Sequence, residues 1–367
     1  MINNLFDNIY KNKTVLVTGH TGFKGSWLVF WLYKMGANII GYSLKPPTNP
    51  NHFEILDIQK HITSIIGDIR DKPKLQETFT RYKPDIVFHL AAQPLVRESY
   101  ENPFETYEIN VMGTLNIFEM CKNHNVKAIV NITTDKCYEN KEWIYGYREN
   151  EPLGGYDPYS SSKACSEILT SSFRNSFFNL NEYKTTHNTL LASCRAGNVI
   201  GGGDWAKDRL VTDIVLSTLN NKKIQIRNPK ATRPWQFVLE PLSGYLLVGQ
   251  KLLQEQKNFA TSWNFGPKDD GNINVINIIK RFQKYWDKID YSIDTNAHPH
   301  EATFLKLDCS KAEFYLKWLP NWDIEKTLQQ TILWYKDYYE TNNINTLKNF
   351  NLYIEDARNK GIIWATK

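Results

Sequence analysis

Three features are missing from this 367-residue chain: an apolar run of membrane-spanning length, a cysteine pair spaced to grip a metal, and a long block of one charge. Its five cysteines, Cys121, Cys137, Cys165, Cys194 and Cys309, are scattered and form no C-x-x-C pair. That argues against a thiolate metal site and fits reduced thiols in a cytosolic protein. No apolar stretch reaches the ~18 residues that a membrane helix needs, and "MINNLFDNIYKNK" lacks the basic-then-apolar order of a secretory leader. A cytoplasmic protein with no membrane partner is expected. Lys and Arg number 44 against 39 Asp and Glu, a net charge of +5, and no basic run suggests a nucleic-acid arm. Internal repeats and low-complexity tracts are also absent. The chain does have 41% apolar and 13% aromatic residues, enough for a sizeable core. Its length exceeds the roughly 250 to 300 residues one core fills, so a large domain with a smaller lobe is expected.

The first half alternates short apolar runs with segments of helical spacing. "TVLVTG", "NIIGYS", "ITSIIGDI", "DIVFHLAA" and "KAIVNITT" read as strands. "FKGSWLVFWLYKMG", "KPKLQETFTRYK" and a long stretch from Tyr107 to His124 read as helices. Strands that are continuously apolar and separated by helices belong to a parallel sheet buried on both faces, here an α/β doubly wound sheet. After a helix over "DPYSSSKACSEILTSSFRNSFF", the run "TLLASCRAG" adds a sixth strand. Beyond Asn198, loops rich in glycine, proline and tryptophan indicate the smaller lobe. We place the dinucleotide-binding domain at 1–197, joined by about 237–266, with 198–236 and 267–367 as the substrate lobe.

"TGHTGFKG" carries Gly19, Gly22 and Gly25 between the first strand and the first helix. A tight turn there needs positive φ, a diphosphate approaches only where side chains are missing, and the helix N-terminus supplies amide donors. The spacing is G-x-x-G-x-x-G and not the commonest dinucleotide fingerprint. The end of the second strand offers Ser43 and Lys45 and no acid, which leaves NAD or NADP open. Asp68 could meet an adenine amino group; a helix N-cap, with Asp71 foremost, is the alternative. "YSSSK" sets Tyr159 and Lys163 on one helix face, where an ammonium beside a phenol would lower its pKa from ~10 and make it a base.

The stretches "VLVTGHTGFKGSWL", "HLAAQPLVRESY", "TTDKCYENKEW", "DPYSSSKACSE", "CRAGNVIGGGDWAKDRL", "RPWQFVLEPLSGYL" and "HPHEATFLKLDCSKA" together resemble the extended short-chain dehydrogenase/reductases, and among them the nucleotide-sugar 4,6-dehydratases, from about residue 5 to 340. The resemblance implies a Rossmann fold and NAD bound by Thr18, Gly19, Thr21, Gly22, Phe23, Lys24, Gly25, Ser43, Asp68, Ile69, Leu90, Ala91 and Ala92, together with Tyr159 and Lys163. It implies that Tyr159, aided by Lys163 and Thr134, takes the C4-hydroxyl proton of a nucleotide sugar, CDP-glucose, while hydride passes to NAD. Water is then eliminated across C5 and C6, and hydride returns to C6. The product would be a deoxysugar precursor for surface polysaccharide. Related enzymes place aspartate and glutamate where this chain has Asp135 and Lys136. The lysine can act as a base only if its pKa falls from ~10.4 toward neutrality. Without the flanking motifs, Lys136 would read as an exposed strand-end cation.

Basic and aromatic loop residues suit a nucleotide diphosphate, and Trp205, Arg209, Arg233, Trp235 and Gln236 are candidates, with core packing the alternative for the two tryptophans. Gln93 and Asn198 would lie nearer the sugar and diphosphate; Arg97 and Ser99 are further sugar candidates, and His300 and Glu301 weak nucleotide ones. Apolar residues on several sides of the helices around Tyr107–His124 and Tyr159–Phe178 suggest a homodimer, as the resemblance also implies. A 4-epimerase would not need the Asp135 and Lys136 pair. A non-catalytic dinucleotide-binding protein would not need Tyr159 with Lys163.

Overall fold

The computed structural model describes residues 4–226, 229, 232–268, 271–294 and 305–366. The alternation of strand and helix runs β1 (Thr14–Thr18), α1 (Phe23–Lys34), β2 (Asn38–Ser43), α2 (His52–Ile55), β3 (Thr63–Ile66), α3 (Lys72–Tyr82), β4 (Ile86–His89), α4 (Val96–Glu101), α5 (Pro103–Tyr107), α6 (Thr114–Asn123), β5 (Ala128–Ile132), α7 (Pro158–Ser176) and β6 (Leu190–Ala196). Then follow β7 (Val199–Ile200), α8 (Leu210–Leu219), β8 (Ile224–Ile226), β9 (Thr232–Pro234), β10 (Gln236–Phe237), α9 (Leu239–Leu253), β11 (Ser262–Phe265), β12 (Asn272–Asn274), α10 (Val275–Gln283), β13 (Tyr291–Ile293), α11 (Ile324–Thr341), α12 (Thr346–Asn359) and α13 (Ile363–Thr366).

Seven strands form one sheet in the order β11-β6-β5-β4-β1-β2-β3, with every pairing parallel. Alternate side chains serve opposite faces. Val15, Val17, Phe88 and Val130 join Trp27, Leu28 and Leu246 on one side, while Leu16, Val87 and Ile129 join Phe79, Ile117 and Phe118 on the other. Both faces are therefore dry, which is why these strands read as unbroken apolar runs. The order reverses between β1 and β4, and a doubly wound sheet opens its ligand crevice at such a switch point.

The helix expected from Tyr107 to His124 is not one regular helix. A π-helical segment, Glu108–Gly113, separates α5 from α6. Ile69 packs so closely on Gly113 that a Cβ there would lie 2.4 Å from its Cδ1. Such bulges hold one extra residue per turn, which apolar spacing cannot reveal.

A second core gathers Trp205 and Trp235 from loops and Val211, Ile214, Ile278, Phe282, Ile324, Leu328, Trp334 and Tyr335 from α8, α10 and α11. The carboxyl-terminal α12 and α13 instead return to the first core through Phe350, Tyr353 and Trp364, the last stacked on Phe6.

Candidate active site

The turn after β1 is closed on both sides by backbone. Gly19 has φ +75°, and a Cβ on it would lie 2.8 Å from Ala91 N; a Cβ on Gly25 would lie 2.0 Å from Gly19 O. The Thr18 hydroxyl accepts from Leu90 N and Ala91 N, both at 3.1 Å, tying the end of β4 to the turn. Thr21 donates to Leu44 O at 2.9 Å and lies 2.9 Å from Ser43 Oγ, tying in the end of β2. The result is a side-chain-free cradle at the N-terminus of α1, which fits the diphosphate of a dinucleotide.

Asp68 is taken up by Arg70, whose hydrogen bonds hold its carboxyl below the ordinary carboxylate range, and Asp71 caps α3 by accepting from Lys74 N. Of the two alternatives for this segment, the cap falls to Asp71. Ile69 is buried, while Phe23 and Ala92 are partly buried and Lys45 is exposed. Lys24 is pushed down to about 8, first by burial and then by the charges of Arg209 and Lys163, against the pull of Asp135. A residue assigned to the cofactor thus lies within electrostatic reach of the catalytic groups.

Asp157 caps α7 by accepting from Ser160 N at 2.9 Å, and Pro158 opens the first turn. One turn in, Tyr159 shares a hydrogen bond with Thr134. Burial pushes the phenol up to about 12; the Thr134 bond and the Arg209 charge offset this in part, and Asp135 adds to it. The expected lowering of this pKa is therefore reversed. Desolvation exceeds the charge effect, and Lys163, itself pushed down to about 8 by burial, bonds Ile132 O at 3.3 Å.

Thr134 also caps the turn that carries the acid. Its Oγ1 accepts from Lys136 N at 3.3 Å and donates to Asp135 Oδ1 at 3.0 Å. Asp135 is 3% exposed, and Lys136 is partly buried. Gly197 is packed between the acid and Pro234: a Cβ on it would lie 2.7 Å from Asp135 Oδ2 and 3.1 Å from Pro234 Cγ. No other residue fits at 197 without moving that carboxylate.

Sequence reasoning missed the layer beneath. Glu167, one turn beyond Lys163, accepts from Thr133, from Ser193 Oγ at 2.8 Å and from Arg195 at 2.8 Å. Arg195 also donates to Tyr138 OH at 2.7 Å and Glu149 O at 3.0 Å. Burial raises the Glu167 pKa, but the Arg195 charge and the hydrogen bonds from Arg195, Thr133 and Ser193 together outweigh it and hold the group below its ordinary value. An arginine inside "LLASCRAG", a strand buried on both faces, was the available signal, because a buried charge requires a buried partner. Asn110 was missed as well: it bonds Gln93 N and O at 2.9 and 3.0 Å and Ser162 Oγ at 2.9 Å.

The substrate candidates divide. Arg209 donates to Asp204 at 2.9 Å and acts electrostatically on Tyr159, and Asn198 is partly exposed between β6 and β7. Arg97 pairs with Asp208 at 2.9 Å. Gln93 bonds Leu95 and Thr106, and Ser99 is fully buried, donating to Val96 O in its own helix at 2.6 Å. Trp205 and Trp235 pack in the second core, and Gln236 is buried with its Oε1 lacking a partner among the described residues. Trp205 donates to Tyr339 OH at 2.8 Å, Trp235 to Ile273 O at 3.2 Å, and Gln236 to Phe265 O at 3.2 Å. Only the backbone of Arg233, in β9, is described, and His300 and Glu301 lie outside the described residues. Among the described residues, no cluster of His, Cys, Asp and Glu is placed to hold a metal ion, and no helix is long and apolar enough to cross a membrane.

Residues 16–331 match the GDP-mannose 4,6-dehydratase family. A CDP-glucose 4,6-dehydratase of Salmonella typhimurium (strain LT2) is 56% identical over 331 residues, covering 90% of this chain and 92% of that one. Among solved structures, an epimerase of Methanothermobacter thermautotrophicus superposes with TM-score 0.78 at 23% identity, covering 92% of this chain and 97% of its own. A dTDP-glucose 4,6-dehydratase of Bacillus anthracis, solved with NAD, superposes with TM-score 0.73 at 20% identity, covering 89% and 98%.

Proposed function

The chain belongs to the GDP-mannose 4,6-dehydratase family, a branch of the extended short-chain dehydrogenase/reductases, and from that membership we propose that it is an NAD-dependent lyase converting CDP-glucose to CDP-4-keto-6-deoxyglucose. One observation carries the reading. The Thr134 hydroxyl bonds both Tyr159 and Asp135 and caps the turn holding Lys136, so a proton-abstracting pair and an eliminating pair share one hinge. Bound in the glycine cradle, NAD supplies a hydride acceptor and, in its oxidised form, a positive ring charge.

Tyr159, with Thr134 and Lys163, takes the proton of the sugar C4 hydroxyl. The ketone that results acidifies the C5 proton, which Lys136 removes. Asp135 gives its proton to the departing C6 hydroxyl, which leaves as water. Arg209 meets the substrate diphosphate as a guanidinium fork. A 4-epimerase, which breaks no bond at C6, would have no use for Asp135 and Lys136.

The test is incubation with CDP-glucose followed by alkali, which turns 4-keto-6-deoxy sugars into a strongly absorbing species, with dTDP-glucose, UDP-glucose and GDP-mannose in parallel. Absorbance is expected from CDP-glucose first; none from CDP-glucose overturns the reading. We also propose a homodimer formed through the faces of α4 to α7. Tyr100, Phe104, Met112 and Ile168 expose 50%, 79%, 51% and 56% of their surface there, an apolar area suited to a second copy. Sedimentation as a monomer at micromolar concentration would remove it.

A further inference from the structure

The loop Gly201–Trp205, which follows β7, is held from behind by aromatic residues. Gly202 O accepts from Trp27 Nε1 at 3.0 Å, and a Cβ on Gly202 would lie 2.0 Å from Trp334 Cγ. Gly203 has φ +93° and faces the His52 ring. The Tyr335 hydroxyl donates to Asp204 O at 2.7 Å, lies 3.3 Å from Gly201 O and accepts from Asp204 N at 2.8 Å. Tyr339 OH receives the Trp205 indole N–H at 2.8 Å. Both tyrosines sit on the half of α11 beyond residue 331, where the family match ends.

This loop has one charged outlet. Asp204 is buried, and its carboxylate accepts from Ala206 N at 3.1 Å and from Arg209 at 2.9 Å. That bond uses Nη1 of Arg209; among the described residues its other guanidinium donors make no further hydrogen bond, and its charge bears on Tyr159 and Lys24 at the catalytic end of the sheet. A guanidinium binds a diphosphate well only when its plane is set beforehand. Tyr335 fixes the backbone of Asp204, Asp204 fixes Arg209, and Tyr335 itself is fully buried in the second core.

We propose that Tyr335 is a positioning residue for the substrate diphosphate, acting through Asp204 on Arg209. This rests on the reading of Arg209 given above. Removing one hydroxyl removes the hydrogen bonds that aim the arginine and leaves the fold and the NAD cradle intact. Tyr335→Phe is therefore expected to raise KM for CDP-glucose and Kd for CDP, measured by titration calorimetry, about tenfold. Its kcat and NAD affinity should stay within about twofold of the unaltered protein. Asp204→Asn, which leaves the tyrosine in place, should do the same. In the double variant Tyr335→Phe/Arg209→Ala, affinity should be no worse than in Arg209→Ala alone, because the tyrosine has nothing left to aim.

An unchanged Kd for CDP in Tyr335→Phe overturns the inference, as do additive losses in the double variant or a fall in thermal stability with no change in KM. A protein that binds CDP and shows the tenfold loss, yet turns over no CDP-glucose, overturns the proposed reaction and leaves the positioning role standing.

Discussion

Tyr159→Phe is expected to abolish C4 oxidation: mixed with NAD and CDP-glucose, the variant should show no reduced-nicotinamide absorbance, with a rate loss of about 10²- to 10⁴-fold. The phenol of the partly buried Tyr159 bonds Thr134 and feels the charges of Asp135 and Asp157, and desolvation above all pushes it up to about 12. At neutral pH it keeps its proton until positive charge gathers around it. Arg209 supplies part of that charge, Lys163 stands one turn further along α7, and the oxidised cofactor would supply the rest. A base whose pKa lies above the working pH gains active form as pH rises. The single-turnover rate of C4 oxidation in the unaltered protein should therefore quicken toward pH about 8 and stop quickening there, where Lys163 loses its charge. Reduced nicotinamide forming at the normal rate in Tyr159→Phe would remove the tyrosine from the role of base.

Lys136→Met should split the reaction at its middle. The oxidising pair is untouched, so C4 is oxidised and reduced nicotinamide accumulates. The C5 proton stays on the sugar, so no solvent deuterium enters C5 and overall turnover falls by about 10²- to 10⁴-fold. The variant keeps the length and apolar stem of the side chain, and Thr134 bonds the backbone and not the side chain of residue 136, so the turn should persist. Normal deuterium uptake at C5 would sink the assignment. The next base to test would be Lys24, which is partly buried, lies within reach of the Asp135 charge and is pushed down to about 8.

The parts of this architecture that were legible share a physical cause. "VLV" in β1 and "IVF" in β4 are apolar on both faces because helices cover both sides of the sheet, and Asp157 before Pro158 announces the start of α7 by capping chemistry that is purely local. Spacing also placed Tyr159 and Lys163 on one helix face. What stayed hidden depends on partners distant in the chain. Glu167 looks like one more charge on a helix until Arg195 and Ser193 close around it from β6. Trp205 and Trp235 suit a loop or a core equally, and only the packing of Trp205 against Trp334 and Tyr335, and of Trp235 within the second core, assigns them to the interior. The pKa of Tyr159 was misjudged for a related reason: four-residue spacing brings an ammonium near, but it says nothing of the desolvation that outweighs it.

The π-helical segment Glu108–Gly113 limits how this stretch can change in length. It contains Asn110, which ties Gln93 to Ser162 of α7. Deleting one residue there would restore ordinary winding and cost the helix little as a helix. It would also turn α6 by about 100° relative to α5. Asn110 would swing away from both partners, and Gly113 from the Ile69 side chain it accommodates. A one-residue gap at this point would leave a chain that still folds locally while its crevice wall loses its fastening to the helix that carries Tyr159.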